Sequence, residues 1–379
     1  MSKQLTNPFP VSGYIGPDFF CDREEEIDLL TKAFINGRNI TLIALRRLGK
    51  TALIQHFFYE VASPKKWLPI YVDLMPTSNF AEFVARLTTA IANAYPDNTV
   101  FGRKVWNWIK GVRPNITFDA YSGQPQISFE TARIQEQQLS VHQLFDLLEN
   151  SGRKTVIALD EFQQITNYPE KQTEGWLRSE IQKLNSINFI FCGSQQGLLG
   201  EMFNSANRPF YSSTQILNLA KLDQKVYFDF ISLQMKKASK VIKDREINYI
   251  LEWTRTHTWY VQTLCNRLCA QAQGKISKEV VNGEIESIFK EQEAIYFTFR
   301  ELLTGPQWSL LTAIAKEKKV FAPTAGEFIR TYDLGTPASV KRSLDALLLK
   351  EMIFRQYDNS GMHYYQVYDV FLSRWLERL

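Results

Sequence analysis

The stretch Ile40–Leu53, which reads ITLIALRRLGKTAL, constrains the fold of this chain more than any other. A short apolar run ends at Ala44, a turn follows, and Gly49-Lys50-Thr51 opens a predicted helix. In such a strand–loop–helix, backbone N–H groups wrap a phosphate chain, the lysine reaches its outer oxygens, and the hydroxyl faces Mg²⁺. We therefore expect a Walker A phosphate site, the alternative being a chance GKT sequence at a strand–helix junction.

One position departs from the usual Walker A pattern. The pattern begins with glycine, and Ala44 stands at that position. Glycine has a backbone freedom that alanine lacks, so the substitution leaves the rate of any hydrolysis open. The later fixed positions, Gly49, Lys50 and Thr51, are intact.

A second motif lies downstream at Thr155–Glu161, which reads TVIALDE. Its apolar run fits a strand buried on both faces, and two carboxylates follow at the strand end. Asp160 is expected to hold Mg²⁺ as Walker B aspartates do, and Glu161 to act as general base on the attacking water. The alternative is a buried strand that meets solvent at an acidic turn.

Composition fits a soluble cytoplasmic protein without a membrane segment. The 379 residues can hold two or three domains, and 22% charged with 45% apolar residues is ordinary globular usage. No apolar run has the length of a membrane span, and no signal-peptide pattern opens the chain. The net charge of +4 is too small to argue for nucleic acid. The scattered cysteines are expected to be reduced thiols; they are Cys21, Cys192, Cys265 and Cys269.

The pattern along the chain predicts three domains: an ATPase core over 1–220 with an inserted hairpin segment at 100–135, a helical lid over 221–300, and a winged helix over 301–379. Strands and helices alternate in the first, which predicts a parallel sheet covered on both faces. The predicted strands are Asn39–Ala44, Leu68–Leu74, Thr155–Asp160, Asn188–Gly193 and Gln215–Leu219, with helices such as Glu82–Ala94 and Val141–Glu149 between them. Leu68–Leu74 falls between the two motif strands along the chain. With Glu161 directly after Asp160, this indicates the P-loop (ASCE) division that carries a catalytic glutamate.

The last two zones are read from helical and hairpin patterns. Residues 222–295 read as helices throughout. Residues 305–379 read as three helices, a hairpin and a final helix, with Thr336 as N-cap of the third helix. The predicted hairpin strands are Ile353–Tyr357 and Tyr364–Tyr368.

These features together resemble the archaeal-type ATPases related to the STAND and Orc/Cdc6-like AAA+ proteins. The similarity covers most of the chain. The double arginine of the loop, Arg46-Arg47, and the segment Phe20–Glu26 are together specific for this family. The segments that carry it are Phe20–Glu26, Arg46–Ile54, Leu159–Gln163, Phe191–Ser194 and Tyr368–Leu376.

The resemblance implies ATP and Mg²⁺ as ligands and assigns roles to matching positions. The nucleotide-binding loop would comprise Arg46, Arg47, Leu48, Gly49, Lys50, Thr51 and Ala52, with Lys50 also stabilising the transferring phosphoryl group. Tyr14, Ile15 and Phe20 are candidate neighbours of the adenine, unless they only seat the N-terminal arm. Ser194 would sense the γ-phosphate, unless it is a serine satisfied within its turn.

Two departures from the family affect the expected rate. The family often has a Gly-Arg pair before its fifth strand, whereas Ser212-Ser213 follows Pro209-Phe210-Tyr211 here. Arg208 could substitute, but hydrolysis is expected to be slow or to need a partner. In the lid, His257 lies where the family tends to carry a Gly-Gly/His-Pro step. It is either a phosphate contact or a helix-start cap or surface residue.

The insertion at 100–135 leaves two interpretations open. Its helical part carries Trp106 and Trp108 among basic residues, and Ile116–Phe129 reads as a hairpin around Tyr121–Gln124. Interleaved aromatic and basic residues could contact nucleic acid or a protein partner. We favour a small satellite core beneath the insertion.

The sequence supports two functions from different classes, and we favour the first. The first is an ATP-hydrolysing switch, in which ATP between core and lid controls a winged-helix domain that a protein partner or another copy reads. The second is an Orc-like DNA-binding protein, for which Lys341 and Arg342 on the predicted recognition helix would be contacts. Ten basic and nine acidic residues over 301–379 give that domain no clear basic face. A scaffold that binds nucleotide without turnover is a third reading, which Asp160-Glu161 argues against.

Overall fold

The computed structural model describes residues 7–95, 99–111, 115–118, 125–128, 133–271, 274–358 and 360–379. Contacts group these residues into two compact units. One is Ser12–Leu222, and the other joins the described residues up to Val11 with Asp223–Leu379. Each unit is described by itself below.

The first unit is built on a parallel five-stranded sheet in the order β2-β5-β6-β1-β7. These strands are β1 Ile40–Ala44, β2 Leu68–Asp73, β5 Thr155–Asp160, β6 Ile187–Gly193 and β7 Gln215–Leu219. Every residue of β5 and β6 is buried, as expected for central strands covered on both faces. The predicted parallel sheet is therefore confirmed.

The sheet order adds a detail that the sequence pattern does not give. Leu68–Leu74 lies between the two motif strands along the chain, but β2 is an edge strand of the sheet. The strand that separates β1 from β5 in space is β6. Its carboxyl end therefore lies directly between the phosphate loop and the two carboxylates.

Helices and a hairpin complete the first unit. The helices are α1 Glu24–Ile35, α2 Lys50–Phe57, α3 Phe80–Ala94, α4 Val100–Gly111, α5 Ile134–Glu149, α6 Thr173–Ile181 and α7 Gln196–Asn204, with short turns of other helix types at Pro17–Phe19, Phe58–Ala62 and Phe162–Asn167. The hairpin pairs β3 Asn115–Phe118 with β4 Pro125–Ser128 in antiparallel register.

The insertion packs onto the main core of this unit. Val105, Ile109 and Ile127 are buried within the large apolar cluster that also covers β2 and α3. The Trp108 indole N–H donates to Gln143 of α5 at 2.7 Å. The structure thus favours a packing role for the insertion. Its apolar residues join the main core of the unit and do not form a separate satellite core as expected. The predicted turn at Tyr121–Gln124 and the residue Phe129 lie outside the described residues.

The second unit contains mostly helices. They are α8 Gln224–Lys237, α9 Asp244–Trp253, α10 Thr258–Ala270, α11 Lys278–Leu302, α12 Gly305–Glu317, α13 Gly326–Tyr332, α14 Pro337–Leu349 and α15 Val370–Leu376. The strands are β8 Val241–Ile242, β9 Lys275–Ile276, β10 Ile353–Tyr357 and β11 His363–Val367. The expectation of helices throughout 222–295 is wrong in one place, since β8 pairs with β9. None of the described helices is both long and apolar enough to cross a bilayer.

The last 75 or so residues form the predicted winged helix. Three helices, α12 to α14, precede an antiparallel hairpin of β10 and β11, and α15 follows. The Thr336 side chain accepts the Ser339 N–H at 3.2 Å, so it caps α14 as predicted. A further bridge joins Val320 to Tyr365 and ties the loop after α12 to the hairpin.

Candidate nucleotide site

The phosphate loop has the strand–turn–helix geometry that its sequence predicts. Ala44 is the last residue of β1 and pairs with Leu219 of β7 in parallel register. Its φ is not among the positive values, so glycine's extra freedom is not needed there. The left-handed positions of the loop fall instead at Arg47, with φ 66°, and at Gly49, with φ 96°. Gly49 then caps α2, which begins at Lys50.

Lys50 and Thr51 both contact the carboxylate that ends β5. The Lys50 ammonium lies 2.7 Å from Asp160 Oδ1. The Thr51 hydroxyl donates to Asp160 Oδ2 at 3.1 Å. Thr51 and Asp160, which lie 109 positions apart along the chain, are thereby brought into direct contact.

Glu161 occupies a strained backbone position beside them. Its φ of 54° and ψ of 41° lie in the left-handed region, which is uncommon for a residue with a side chain. Its Oε1 lies 3.3 Å from Lys50 Nζ. Its Oε2 accepts from the Ser194 hydroxyl at 2.9 Å and from the Ser194 N–H at 3.1 Å. Strain of this kind concentrates at functional sites, where the surrounding structure holds it.

Three contacts to the carboxylate pair were missed from the sequence. The Tyr71 hydroxyl of β2 donates to Asp160 Oδ2 at 2.5 Å. The Cys192 thiol of β6 lies 3.3 Å from Asp160 Oδ1. The Gln163 amide donates to Glu161 Oε2 at 2.6 Å. Only the sheet order, which places β5 between β2 and β6, signals the first two.

The electrostatics of the site keep both carboxylates ionised. Burial alone would raise the pKa of Asp160 and Glu161, but the Lys50 charge and the donated hydrogen bonds outweigh it and lower both. Burial likewise opposes the charged form of Lys50, yet the charges of Asp160 and Glu161 and the hydrogen bond to Asp160 raise its pKa. Burial raises the pKa of the Cys192 thiol well above its ordinary value, so it remains a neutral donor. The result is one cation and two anions at neutral pH.

The rings of Tyr14 and Phe20 pack against His56 of α2, the helix that the phosphate loop opens. The Phe20 ring stacks on the His56 ring, with centroids 4.1 Å apart and 23° between the planes. The Tyr14 hydroxyl lies 2.9 Å from His56 Nδ1. Burial lowers the pKa of His56, so the imidazole is neutral at physiological pH. Tyr14 and Phe20 are thus brought together, whereas Ile15 is exposed.

The remaining predicted site residues are placed as follows. Leu48 is buried, Arg46 and Ala52 are half-buried, and Arg47 is exposed. Arg208 is ion-paired with Glu174 at 2.9 Å, so a role at the phosphates requires it to exchange that partner. In the second unit, His257 is buried at the start of α10 with its ring against Tyr260, which excludes the surface interpretation.

The donor set fits a magnesium nucleotide. Mg²⁺ prefers hard oxygen ligands and takes only one or two from the protein when phosphates supply others. Thr51 Oγ1 and Asp160 Oδ2 are such oxygens and lie 3.1 Å apart. The N-terminus of α2 and the Lys50 ammonium supply the positive field that a phosphate chain needs. These residues define the protein as a P-loop nucleotide-binding protein of the class with an adjacent glutamate.

Comparison with known families agrees with this class. Residues 20–264 match the family described as an ATPase domain predominantly from Archaea, and residues 294–378 match a probable winged helix domain. The first match spans more than half of the chain, which therefore belongs to this ATPase family. The resemblance drawn from the sequence is confirmed. No curated protein matches the chain.

Solved structures share the fold over nearly the whole chain. The Walker-type ATPase PABY2304 of Pyrococcus abyssi is 17% identical with a TM-score of 0.67, and the match covers 98% of this chain and 100% of that one. The ORC2 protein of Aeropyrum pernix, solved as ADPNP–ADP complexes, is 16% identical with a TM-score of 0.59 over 98% and 95% of the chains. The ORC1 protein of the same organism, in complex with DNA, is 16% identical with a TM-score of 0.50 over 95% and 93%.

Proposed function

We propose that this protein binds Mg-ATP and hydrolyses it to ADP and phosphate as a molecular switch. One observation carries the proposal: at the carboxyl ends of β1 and β5, ion pairs and a hydrogen bond join four side chains, those of Lys50, Thr51, Asp160 and Glu161. Membership of the archaeal ATPase family supports it.

The residues divide the chemistry among them. Lys50, now paired with both carboxylates, would exchange them for the β/γ-phosphate oxygens. Thr51 and Asp160 would hold Mg²⁺, which neutralises phosphate charge when bound. A water oxygen forms a bond to the γ-phosphorus as the bond to the bridging oxygen breaks, ADP leaves, and the water proton passes to Glu161. Ser194 contacts that base and would report whether the γ-phosphate is present.

The switch part of the proposal rests on the second unit. The predicted lid and the winged helix belong to one compact unit, so a nucleotide-driven change in the lid would carry the winged helix with it. Such a change requires ATP and ADP to interact differently with two conformations. A protein partner, or another copy of this chain, would then read the position of the winged helix.

The phosphate loop is tested with Lys50→Ala. We expect calorimetric ATP binding and phosphate release to be lost, because the main cation for the phosphates is gone. Lys32→Ala is the matched control, since Lys32 is an exposed helix lysine paired with Asp28 at 2.6 Å. Tight ATP binding by Lys50→Ala would overturn the loop assignment.

DNA binding is the second candidate. Two observations favour it: the similar fold of the ORC1 protein solved with DNA, and the exposed side chains of Lys341 and Arg342 on α14. Fluorescence anisotropy with a labelled duplex over a range of salt tests it, because phosphate contacts give strong salt dependence. The double change Lys341→Ala and Arg342→Ala should weaken binding, whereas Lys32→Ala should not. Equal affinity in all three proteins would exclude α14 as the contact.

A further inference from the structure

The carboxylate of Glu161 is held at one oxygen by three donors. Oε2 accepts from the Gln163 amide at 2.6 Å, from the Ser194 hydroxyl at 2.9 Å and from the Ser194 N–H at 3.1 Å. Oε1 has a longer contact to Lys50, at 3.3 Å. The shortest of the four contacts therefore comes from Gln163, two residues further along the chain.

The space for the Gln163 amide depends on a glycine in the neighbouring strand. Gly193 ends β6, and a Cβ built on it would lie 1.9 Å from Gln163 Oε1 and 2.9 Å from its Cδ. Real Cβ atoms do not make such contacts. Any larger residue at 193 would thus displace the amide from Glu161.

Packing alone does not account for Gln163. Its side chain is only 3% exposed, yet among the described residues its Oε1 has no hydrogen-bond partner. A buried amide that served packing would have both ends satisfied or would be replaced by an apolar group. The preceding residue, Phe162, is the one that packs into the apolar core, where its ring lies 4.7 Å from that of Phe191. The amide orientation follows from chemistry, since an ionised carboxylate can only accept and so faces the NH₂ group.

We propose that Gln163 is a positioning residue that orients the Glu161 carboxylate for attack of water on ATP. The proposal rests on the function proposed above. With Oε2 fixed, the carboxylate cannot rotate, and Oε1 is the oxygen left to take the proton once Lys50 turns to the phosphates.

Ser194 cannot replace Gln163 in this role. Its hydroxyl carries one proton, so it cannot donate to Glu161 and to a γ-phosphate at the same time. If the hydroxyl turns to the nucleotide, the Gln163 amide and the Ser194 N–H remain to hold Oε2. Gln163 therefore keeps the base in place in the state in which it is needed.

The test compares Gln163→Met with Gln164→Met in the full-length protein. Methionine has nearly the same length as glutamine but no donor, so kcat should fall roughly ten-fold or more through misplacement of the base. KM and the ATP dissociation constant should stay within about two-fold, because Glu161 acts after binding. Gln164 bonds Met75 and Asn167 at the surface, and its variant should behave like wild type.

A second variant approaches the same contact from the other strand. Gly193→Ala should lower kcat as Gln163→Met does, and the double variant should lose no more than either single one, because both remove the same interaction. Thermal unfolding and ATP binding are measured alongside to show that each variant is folded. Wild-type kcat in Gln163→Met, or fully additive losses in the double variant, would overturn this inference alone. Absence of turnover in wild type would instead overturn the proposed function, and the inference with it.

Discussion

At the scale of single residues, Asp160 is fixed before any metal arrives. Lys50 and the Glu161 N–H contact Oδ1, while Thr51 and Tyr71 contact Oδ2. The Tyr71 hydroxyl makes the shortest of these contacts, and burial followed by the charge of Asp160 raises the pKa of Tyr71, so it stays a donor. Residues that orient metal ligands in this way govern metal affinity without touching the metal.

Removal of that hydroxyl should weaken the use of magnesium. We expect Tyr71→Phe to raise the Mg²⁺ concentration for half-maximal ATP turnover roughly ten-fold, since Asp160 loses its shortest hydrogen bond. Tyr59→Phe is the control, because Tyr59 is exposed. A magnesium titration of phosphate release measures both, and an unchanged midpoint in Tyr71→Phe would show that Tyr71 does not position Asp160.

His56 should make stability depend on pH. Burial lowers its folded-state pKa below the usual 6.5, so the unfolded chain binds more protons and stability increases with pH up to about that value. The unfolding temperature of wild type should therefore be lower at about pH 5.5 than at about pH 7.5. This drop should be smaller in His56→Phe, which keeps a ring against Phe20 but cannot titrate. His363→Phe, at an exposed position, should match wild type. An equal drop in unfolding temperature in wild type and His56→Phe would contradict a lowered pKa of His56 in the folded protein.

The site residues divide into those that the sequence could reveal and those that it could not. Lys50, Thr51, Asp160 and Glu161 were predicted because each motif is local and its chemistry depends on adjacent residue types. Tyr71 and Gln163 acquire their meaning only from neighbours brought close by folding. Strand alternation predicts that strands pair, but it does not give their order in the sheet.

At the scale of elements, the bounds of all five strands of the parallel sheet were predicted to within one residue, for the buried central strands and for the edge strands alike. The predicted bounds Thr155–Asp160 and Gln215–Leu219 agree with the structure. Helix α5 begins at Ile134, well before the predicted Val141, because its first turns carry mostly polar residues and show little apolar periodicity. The pair β8 and β9 was missed, since two-residue strands carry no period of their own.

Helix α15 is attached to the end of α9 by a pair of arginines. Arg374 donates to the Trp253 and Glu252 carbonyls at 2.8 and 2.9 Å, which satisfies the last carbonyls of α9. Arg255 donates to Ser373 at 2.7 Å and pairs with Glu377 at 2.9 Å. The winged helix and the predicted lid are joined through these contacts within one unit.

Loss of this attachment should destabilise the protein. Arg374→Ala should lower the free energy of unfolding by about 2 kcal/mol, because the last carbonyls of α9 lose charge-assisted donors. Arg378→Ala removes an exposed pair with Glu286 and a cation–π contact with Phe289, and should cost about 1 kcal/mol. Urea unfolding followed by tryptophan fluorescence compares the two variants. Equal losses in the free energy of unfolding would show that Arg374 contributes no more to stability than Arg378.

At the scale of the whole molecule, the chain ends contribute to the unit that holds the winged helix. Asn7 donates to the Asn266 carbonyl and Asn266 donates to the Phe9 carbonyl, each at 2.7 Å. Phe9 is fully buried against Phe230. A contact between residues 259 positions apart leaves no trace in local sequence, so this reciprocal pair was not predicted. The three-domain division of the chain remains a prediction.

The central claim is that Glu161 is the base of an ATP-hydrolysing site. The most direct measurement is the identity of the nucleotide retained by Glu161→Gln after incubation with Mg-ATP, beside its phosphate release. We predict wild-type ATP affinity with retained ATP, and a fall in turnover of roughly 10² to 10⁴. Full turnover by Glu161→Gln, with ADP on the protein, would contradict the account.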